Sequence, residues 1–328
     1  MKLIVQIPCL NESDSLSNVL RDIPAEIPGI DCIETLVIDD GSSDDTATVA
    51  TDHGAVHVIR HRRNRGLAAA FQTGIDSCLR LNADIIVNTD GDNQYPGQCI
   101  PSLVEPIVAG RADIVVGDRN PERDSRNKLT KRVLYRIGRI FVGMVVGQDI
   151  PDPVSGFRAI SREAAERTSV VSNYTYTIET LVLWLEKGMM IEFVGVVTKT
   201  VNRPSRLLKS SREFVFRSAA TLLRVFFMYH PLQSLSFVSC TIFVIGLIPV
   251  ARFLFLYAFG KGDGHVQSLV IGTSTIVVAI LIFVVGLLAD LVAQNRRLLE
   301  AKLQRNSTSL EHAETHYCTG SCTRMEDC

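Results

Sequence analysis

Two long apolar runs near the C-terminus, residues 235–259 and 269–289, restrict this chain of 328 residues more than any other feature. At about 1.5 Å per helical residue, each can cross a hydrocarbon core roughly 30 Å thick. The competing explanation is a pair of buried core helices. Patterning argues against it, because soluble helices rarely stay apolar on every face for so long. Arg252 and Pro249 are the two irregularities of the first run. An arginine near a helix end can snorkel to the interface, and proline is tolerated in a spanning helix.

The link between the runs, Gly260-Lys261-Gly262-Asp263-Gly264-His265, is short, so the runs should form a hairpin. Basic residues then choose its orientation. Lys199, Arg203, Arg206, Lys209, Arg212, Arg217 and Arg224 precede it, and Arg296, Arg297, Lys302 and Arg305 follow it. The positive-inside rule therefore expects an integral membrane protein of two spans, with the N-terminal domain and both termini in the cytoplasm. Residues 1–10 lead too quickly into polar Asn11 and Glu12 for a signal peptide. Between Ser211 and Tyr229, arginines interleave with Phe214, Phe216, Leu222, Phe226 and Phe227, as in an amphipathic helix lying on membrane lipid. Cys318, Cys322 and Cys328, with His312 and His316, match no standard zinc spacing. The net charge of −1 offers nothing to a nucleic acid, and none is expected as a partner. The expected segments are a cytosolic catalytic domain (1–210), an interfacial amphipathic helix (211–231), a transmembrane helical hairpin (232–293) and a cytosolic polar tail (294–328), disordered at its end. Small hairpins also offer a surface for a homo-oligomer.

The first half alternates short apolar runs with helical patterns. Strands are predicted over 2–7, 33–38, 56–60, 84–88, 113–116 and 191–197, and helices over 13–23, from about 44, over 66–81, 96–109, 127–147 and 173–187. This alternation predicts an α/β fold with a doubly wound, mostly parallel sheet. In such sheets ligands bind beyond the C-terminal strand ends. The polar residues of interest fall there.

The sharpest of these signals is Asn88-Thr89-Asp90-Gly91-Asp92-Asn93-Gln94, directly after an apolar strand. Two carboxylates one residue apart at a strand end suit a hard cation, Mg²⁺ or Mn²⁺, bridging protein carboxylate to substrate phosphate. Such an ion offsets charge building on a diphosphate leaving group. Other strand ends supply Asn11 and Glu12, Asp39 and Asp40, Asn64, and Asp118 and Arg119. Ser42, Ser43 and Asp44 are explained by helix capping, which leaves Asp39 and Asp40 unexplained.

Taken together, residues 8–12, 37–44, 64–74 and 90–96 resemble glycosyltransferase family 2, of the GT-A fold. Residues 116–119 and the stretch Asp152-Pro153-Val154-Ser155-Gly156-Phe157-Arg158, with the hairpin, resemble its polyprenyl-phosphate branch, typified by dolichyl-phosphate mannose synthase. The likeness covers residues 1–209 by motif and the spans by architecture. It implies that Pro8, Leu10 and Glu12 line a nucleotide pocket and that Asp40 meets the base or ribose. Asn64 joins the donor-binding set, and Asp90 and Gly91 lie along nucleoside and phosphates. Asp92 and Gln94, with Asp90, hold the metal. Arg119 contacts phosphates, and Arg203 and Lys209 form a basic pair on the diphosphate. The family usually has an aromatic where Leu10 stands. The likeness also implies inversion at the anomeric carbon, a nucleotide-sugar donor and a polyprenyl-phosphate acceptor.

A lipid phosphate is already ionised and needs no general base, whereas a hydroxyl acceptor requires a carboxylate to take its proton. Asp152 is the expected base in that alternative. Arg158 is expected to orient an acceptor phosphate through a forked contact, or else to form a surface salt bridge. A nucleotidyltransferase would open with a glycine-rich basic loop, which residues 8–12 lack. A processive polysaccharide synthase would carry Gln-X-X-Arg-Trp, yet Thr180 and Leu183 stand before Trp184, the single tryptophan. A non-enzymatic membrane scaffold would have no use for the acidic constellation.

Overall fold

The computed structural model describes residues 1–120, 136, 139–140, 143, 150–170, 176–199, 231–259 and 266–321, with side chains through 295. The chain divides into two compact units, Met1–Ser218 and Ala219–Cys328.

The first unit is built on a seven-stranded sheet in the order β3-β2-β1-β4-β6-β5-β7. Its strands are β1 (Lys2–Cys9), β2 (Cys32–Asp39), β3 (His57–Arg60), β4 (Ile85–Asn88), β5 (Ile114–Asp118), β6 (Arg158–Ser161) and β7 (Ile191–Gly195). Between them lie α1 (Ser13–Asp22), α2 (Thr46–Asp52), α3 (Leu67–Arg80), α4 (Ile100–Val108), α5 (Arg162–Glu166) and α6 (Thr177–Glu186). The expected doubly wound, mostly parallel sheet is present. One strand departs from the pattern: β6 runs antiparallel to both β4 and β5. It went unread in the sequence because four residues opening on an arginine give too short a run for periodicity to register.

Alternation within β1 explains the two-sided core. Leu3, Val5 and Ile7 pack with Leu16, Val19 and Leu20 of α1 and Leu103 and Val104 of α4. On the opposite face Gln6 meets α3, where the absent side chain of Gly74 admits the Gln6 amide. A sheet covered on both faces buries nearly every strand residue, which is why its strands read as continuous apolar runs. From β1 the chain winds outward through β2 and β3, then returns to place β4 on the other side of β1. The reversal marks the C-terminal ends of β1 and β4 as the place where ligands usually bind in such sheets, in the crevice that strand order opens there.

Among its described residues the second unit contains two helices, α7 (Pro231–Ala258) and α8 (Val266–Ser321). Two stretches, Pro231–Ala258 and Val266–Asn295, are long and apolar enough to cross a membrane, with mean hydropathies of 2.1 and 3.0. Helix α8 continues through Ser321, so helical backbone extends far into the expected polar tail. The expected interfacial helix lies, except for Pro231, outside the described residues.

The two helices pack along a seam of small residues. Ser239 Oγ donates to the Ala279 carbonyl at 2.8 Å. A Cβ on Gly246 would lie 3.1 Å from the Gly272 carbonyl, and one on Gly286 would lie 3.0 Å from Leu235 Cβ. Gly272, Ala279 and Gly286 recur every seven residues, the spacing that keeps one helix edge against its neighbour. A Cβ on Gly272 would meet Val250 Cγ2 at 2.6 Å. Gly272→Leu is therefore expected to lower the thermal midpoint of the helical signal in detergent, through overpacking that costs about 1–3 kcal/mol. Val270→Leu, on an exposed position of the same helix, should leave that midpoint unchanged.

Candidate active site

The crevice is assembled by parallel pairing that brings strand ends side by side. Cys9 of β1 is in register with Asp39 of β2, and Gln6 is in register with Asn88 of β4. Pro8 is buried at the end of β1, and Leu10 is half-buried just beyond it. Glu12 caps α1, its carbonyl accepting from the Ser15 and Leu16 amides at 3.1 and 3.0 Å. Its side chain accepts from Ser15 Oγ at 2.9 Å, and the same hydroxyl donates to the Gly91 carbonyl at 2.7 Å.

Gly91 is the point of closest approach between the two loops. A Cβ there would stand 2.7 Å from Cys9 Sγ and 3.3 Å from Glu12 Cγ. The flanking carboxyls of Asp90 and Asp92 consequently share one small region with Glu12. Burial, the neighbouring Asp92 and Glu12 push the Asp90 carboxyl up to about 7, against the opposing pull of the Arg119 guanidinium. The Gln94 amide donates to Asp92 Oδ1 at 3.0 Å, folding the turn back on itself. Asn93 between them takes a left-handed conformation, φ 59°.

Among the described residues, no group of three or more acidic, histidine or cysteine side chains could by itself hold a metal ion. The donors expected from the sequence, Asp90, Asp92 and Gln94, lie on this one turn. They suit a hard cation that completes its shell with substrate phosphate and water.

Arg119 follows β5 and grips Asp152 with a two-pronged contact. Nε donates to Oδ2 at 2.7 Å and Nη2 donates to Oδ1 at 2.9 Å. The Asp152 side chain is fully enclosed, and Arg119 keeps only 17% of its side chain exposed. The sequence placed both residues in the site, but not as partners.

Arg158 requires a correction. It is neither on the surface nor aimed at an acceptor. It lies at 0% exposure, donating to the carbonyls of Ser155 and Thr177 (each 2.8 Å) and to Thr180 Oγ1 (2.7 Å). The rings of Tyr176 and Trp184 flank its guanidinium at 5.9 and 5.6 Å. Burial lowers its pKa to about 10, so it stays charged at neutral pH. Its position opening β6 turns it inward, and only the pairing of that strand reveals this.

Asp40 also has protein partners. Its Oδ1 accepts from His61 Nδ1 at 2.7 Å and the Arg65 amide at 2.9 Å, and Oδ2 accepts from the Gly66 amide at 2.8 Å. Asn64 Oδ1 accepts from the same Gly66 amide at 2.9 Å. Asp40 and Asn64 thus shape the loop between β3 and α3. His61 was not singled out from the sequence, where a lone histidine after a strand carries no signal. Arg203 and Lys209 lie outside the described residues.

Behind Asp90 runs a buried polar chain. Gln6 Nε2 donates to Asn88 Oδ1 at 2.9 Å, and Asn88 Nδ2 donates to the Gly156 carbonyl and the Tyr176 hydroxyl at 2.7 and 2.9 Å. Tyr176 stacks on Phe71 with ring centroids 3.9 Å apart. A Cβ on Gly156 would come within 2.8 Å of the Tyr176 hydroxyl and 3.4 Å of Asp90 Oδ1. Glycine there lets the segment carrying Asp152 close on the acidic turn.

Comparison with known proteins agrees with this architecture. Residues 4–168 match the family model described as glycosyl transferase family 2. Polyprenol monophosphomannose synthase of Mycolicibacterium smegmatis is 30% identical over 66% of this chain and 86% of its own length. Dolichol-phosphate mannosyltransferase of Pyrococcus furiosus is 33% identical over 51% of this chain and 48% of its own length. Among solved structures, glucosyl-3-phosphoglycerate synthase of Mycobacterium tuberculosis, crystallised with Mn²⁺ and UDP-glucose, superposes with a TM-score of 0.51 at 25% identity. That match covers 67% of this chain and 78% of the other. With its acidic turn at the switch point of a doubly wound sheet, the chain belongs to glycosyl transferase family 2 and is a glycosyltransferase.

Proposed function

We propose that this enzyme transfers a sugar, with inversion, from a UDP- or GDP-linked donor to a membrane polyprenyl phosphate. The observation that carries the choice of acceptor is the Arg119–Asp152 fork. A hydroxyl acceptor would need a carboxylate to remove its proton, and the carboxylate expected to do so is enclosed and bound at both oxygens. A phosphate monoester arrives ionised and needs no base. The names of the two relatives, and two helices apolar enough to hold an enzyme beside a lipid substrate, support the same acceptor.

Asp90, Asp92 and Gln94 would hold Mg²⁺ or Mn²⁺, which supplies a positive charge to the diphosphate as it leaves. Pro8, Leu10, Glu12 and Gly91 form the wall against which the nucleotide would lie. Asp40 and Asn64 act by shaping the Arg65–Gly66 turn beside it. Arg119, fixed in direction by Asp152, would bring its guanidinium charge to the phosphate oxygens. Arg203 and Lys209 complete the basic side of the donor site in this proposal. The domain faces the cytoplasm, where nucleotide sugars are made, in keeping with the basic residues on both sides of the hairpin.

The test is a screen of radiolabelled nucleotide sugars on membranes containing polyprenyl phosphate, followed by solvent extraction. Label should enter the lipid fraction with one donor, stop on EDTA addition and resume on adding Mn²⁺ or Mg²⁺. Transfer to water-soluble acceptors alone would refute the lipid-phosphate acceptor, and EDTA-insensitive transfer would refute the metal.

A further inference from the structure

The acidic turn is held from outside by Lys199. After β7 the chain follows β5, the Val196 amide donating to the Asp118 carbonyl at 2.8 Å. It then crosses to the acidic turn, where the Lys199 amide donates to the Gln94 carbonyl at 2.9 Å. The Lys199 side chain reaches over the same turn. Its Nζ donates to Asn93 Oδ1 at 3.0 Å and forms an ion pair with Asp22, the last residue of α1. Asp22 also accepts weakly from the Gly97 amide, at 3.4 Å, and a Cβ on Gly97 would overlap the Asp22 carbonyl. Residues 93–97 are thus caught between the end of α1 and the exit of β7. The hydrogen bond from Lys199 holds the Asp22 carboxyl below its usual range.

Stability does not explain this arrangement. Lys199 and Asp22 are 39% and 33% exposed, and ion pairs that open to water contribute only about 0–1 kcal/mol. What the lysine does control is Asn93, a non-glycine residue at positive φ placed between Asp92 and Gln94. A residue in that conformation persists when surrounding contacts over-determine it. Here Lys199, more than a hundred positions away in sequence, bonds the Asn93 side chain with its ammonium and the adjoining Gln94 carbonyl with its backbone amide.

We propose that Lys199 is a positioning residue for the cation site, fixing the Asn93 turn so that Asp92 and Gln94 point at one ion. The inference rests on the reading of Asp90, Asp92 and Gln94 as metal donors. Residues that orient metal ligands typically govern affinity by about 10–100-fold. Lys199→Met should therefore weaken Mn²⁺ binding at least about tenfold while leaving the thermal midpoint close to wild type. Asn93→Ala cuts the same contact from the other side and leaves the Lys199–Asp22 ion pair in place. It should reproduce the loss of affinity. Asp22→Asn alone, which keeps the Lys199–Asn93 contact, should cost less than about threefold.

The experiment is electron paramagnetic resonance titration of the full-length protein in detergent with Mn²⁺ alone, then with UDP or GDP added. Asp92→Ala is the reference for an emptied site. Loss of affinity in Lys199→Met and Asn93→Ala with unchanged melting supports the proposal. Wild-type affinity in both variants, while Asp92→Ala fails to bind, overturns it and leaves the metal reading intact. Equal binding by wild type and Asp92→Ala overturns both.

Discussion

Asp92→Ala is expected to reduce sugar transfer by at least about a thousandfold, or about 4 kcal/mol of transition-state stabilisation, while the protein melts as wild type. The size follows from where charge develops. A leaving diphosphate gathers negative charge on its oxygens, and a cation aimed at those oxygens in an enclosed site is usually the largest single electrostatic contribution. Asp92 sits on a turn beyond β4 that Ser15 holds at the Gly91 carbonyl and Lys199 at the Gln94 carbonyl, so trimming its side chain breaks the bond from the Gln94 amide but no strand pairing. The measurement is donor turnover in saturating Mn²⁺, paired with thermal unfolding. Turnover within tenfold of wild type would remove Asp92 from the metal set.

Breaking the fork beside it should have a different signature. Arg119→Met takes from the enclosed Asp152 carboxylate the guanidinium bound to both its oxygens, leaving the more distant Arg158 as the nearby positive charge, a change that costs about 3–5 kcal/mol at buried pairs. For a domain of this size the thermal midpoint should fall by roughly 10 °C. Turnover should fall at least about a hundredfold if, as proposed, the same guanidinium meets the donor phosphates. Asp152→Asn keeps an acceptor oxygen but loses the charge that orients Arg119, so turnover should fall roughly tenfold or more. The sequence alone suggested that Asp152 could be altered cheaply if the acceptor is a phosphate. The fork gives a reason to expect more, since Asp152 holds Arg119 whichever acceptor is used. The double variant Arg119→Met/Asp152→Leu separates the two effects. Removing both charges should restore much of the stability, while turnover stays low. An acidic limb of the pH–rate profile that disappears in Asp152→Asn would instead identify Asp152 as a general base.

Much of this site was readable along the chain because its signals are local. A turn with two aspartates after an apolar run, an asparagine and glutamate after the first strand, and an arginine after the fifth each announce themselves within a few residues. The doubly wound sheet was readable for the same reason: strands buried on both faces are short apolar runs, and the helices between them carry a different period. The two spans were more legible still, being set by composition over a length that a bilayer fixes.

Orientation and partnership were not local. Arg158 has the same chemical identity on a surface as in a core, and only the antiparallel pairing of β6 with β4 and β5 turned it inward. Asp40 reads along the chain as a ligand contact, and its bonds to His61, Arg65 and Gly66 are visible only in the fold. Lys199 reads as one basic residue in a run of seven, and its hold on Asn93 exists only because β7 pairs with β5. The sequence by itself determined the family, the acidic turn and the two apolar helices, since residue type and near-neighbour spacing suffice for each. Tertiary structure alone decided which charged side chains face the crevice and which are neutralised by one another. Those choices depend on contacts between positions tens to more than a hundred residues apart, brought together by strand order rather than by any pattern along the chain.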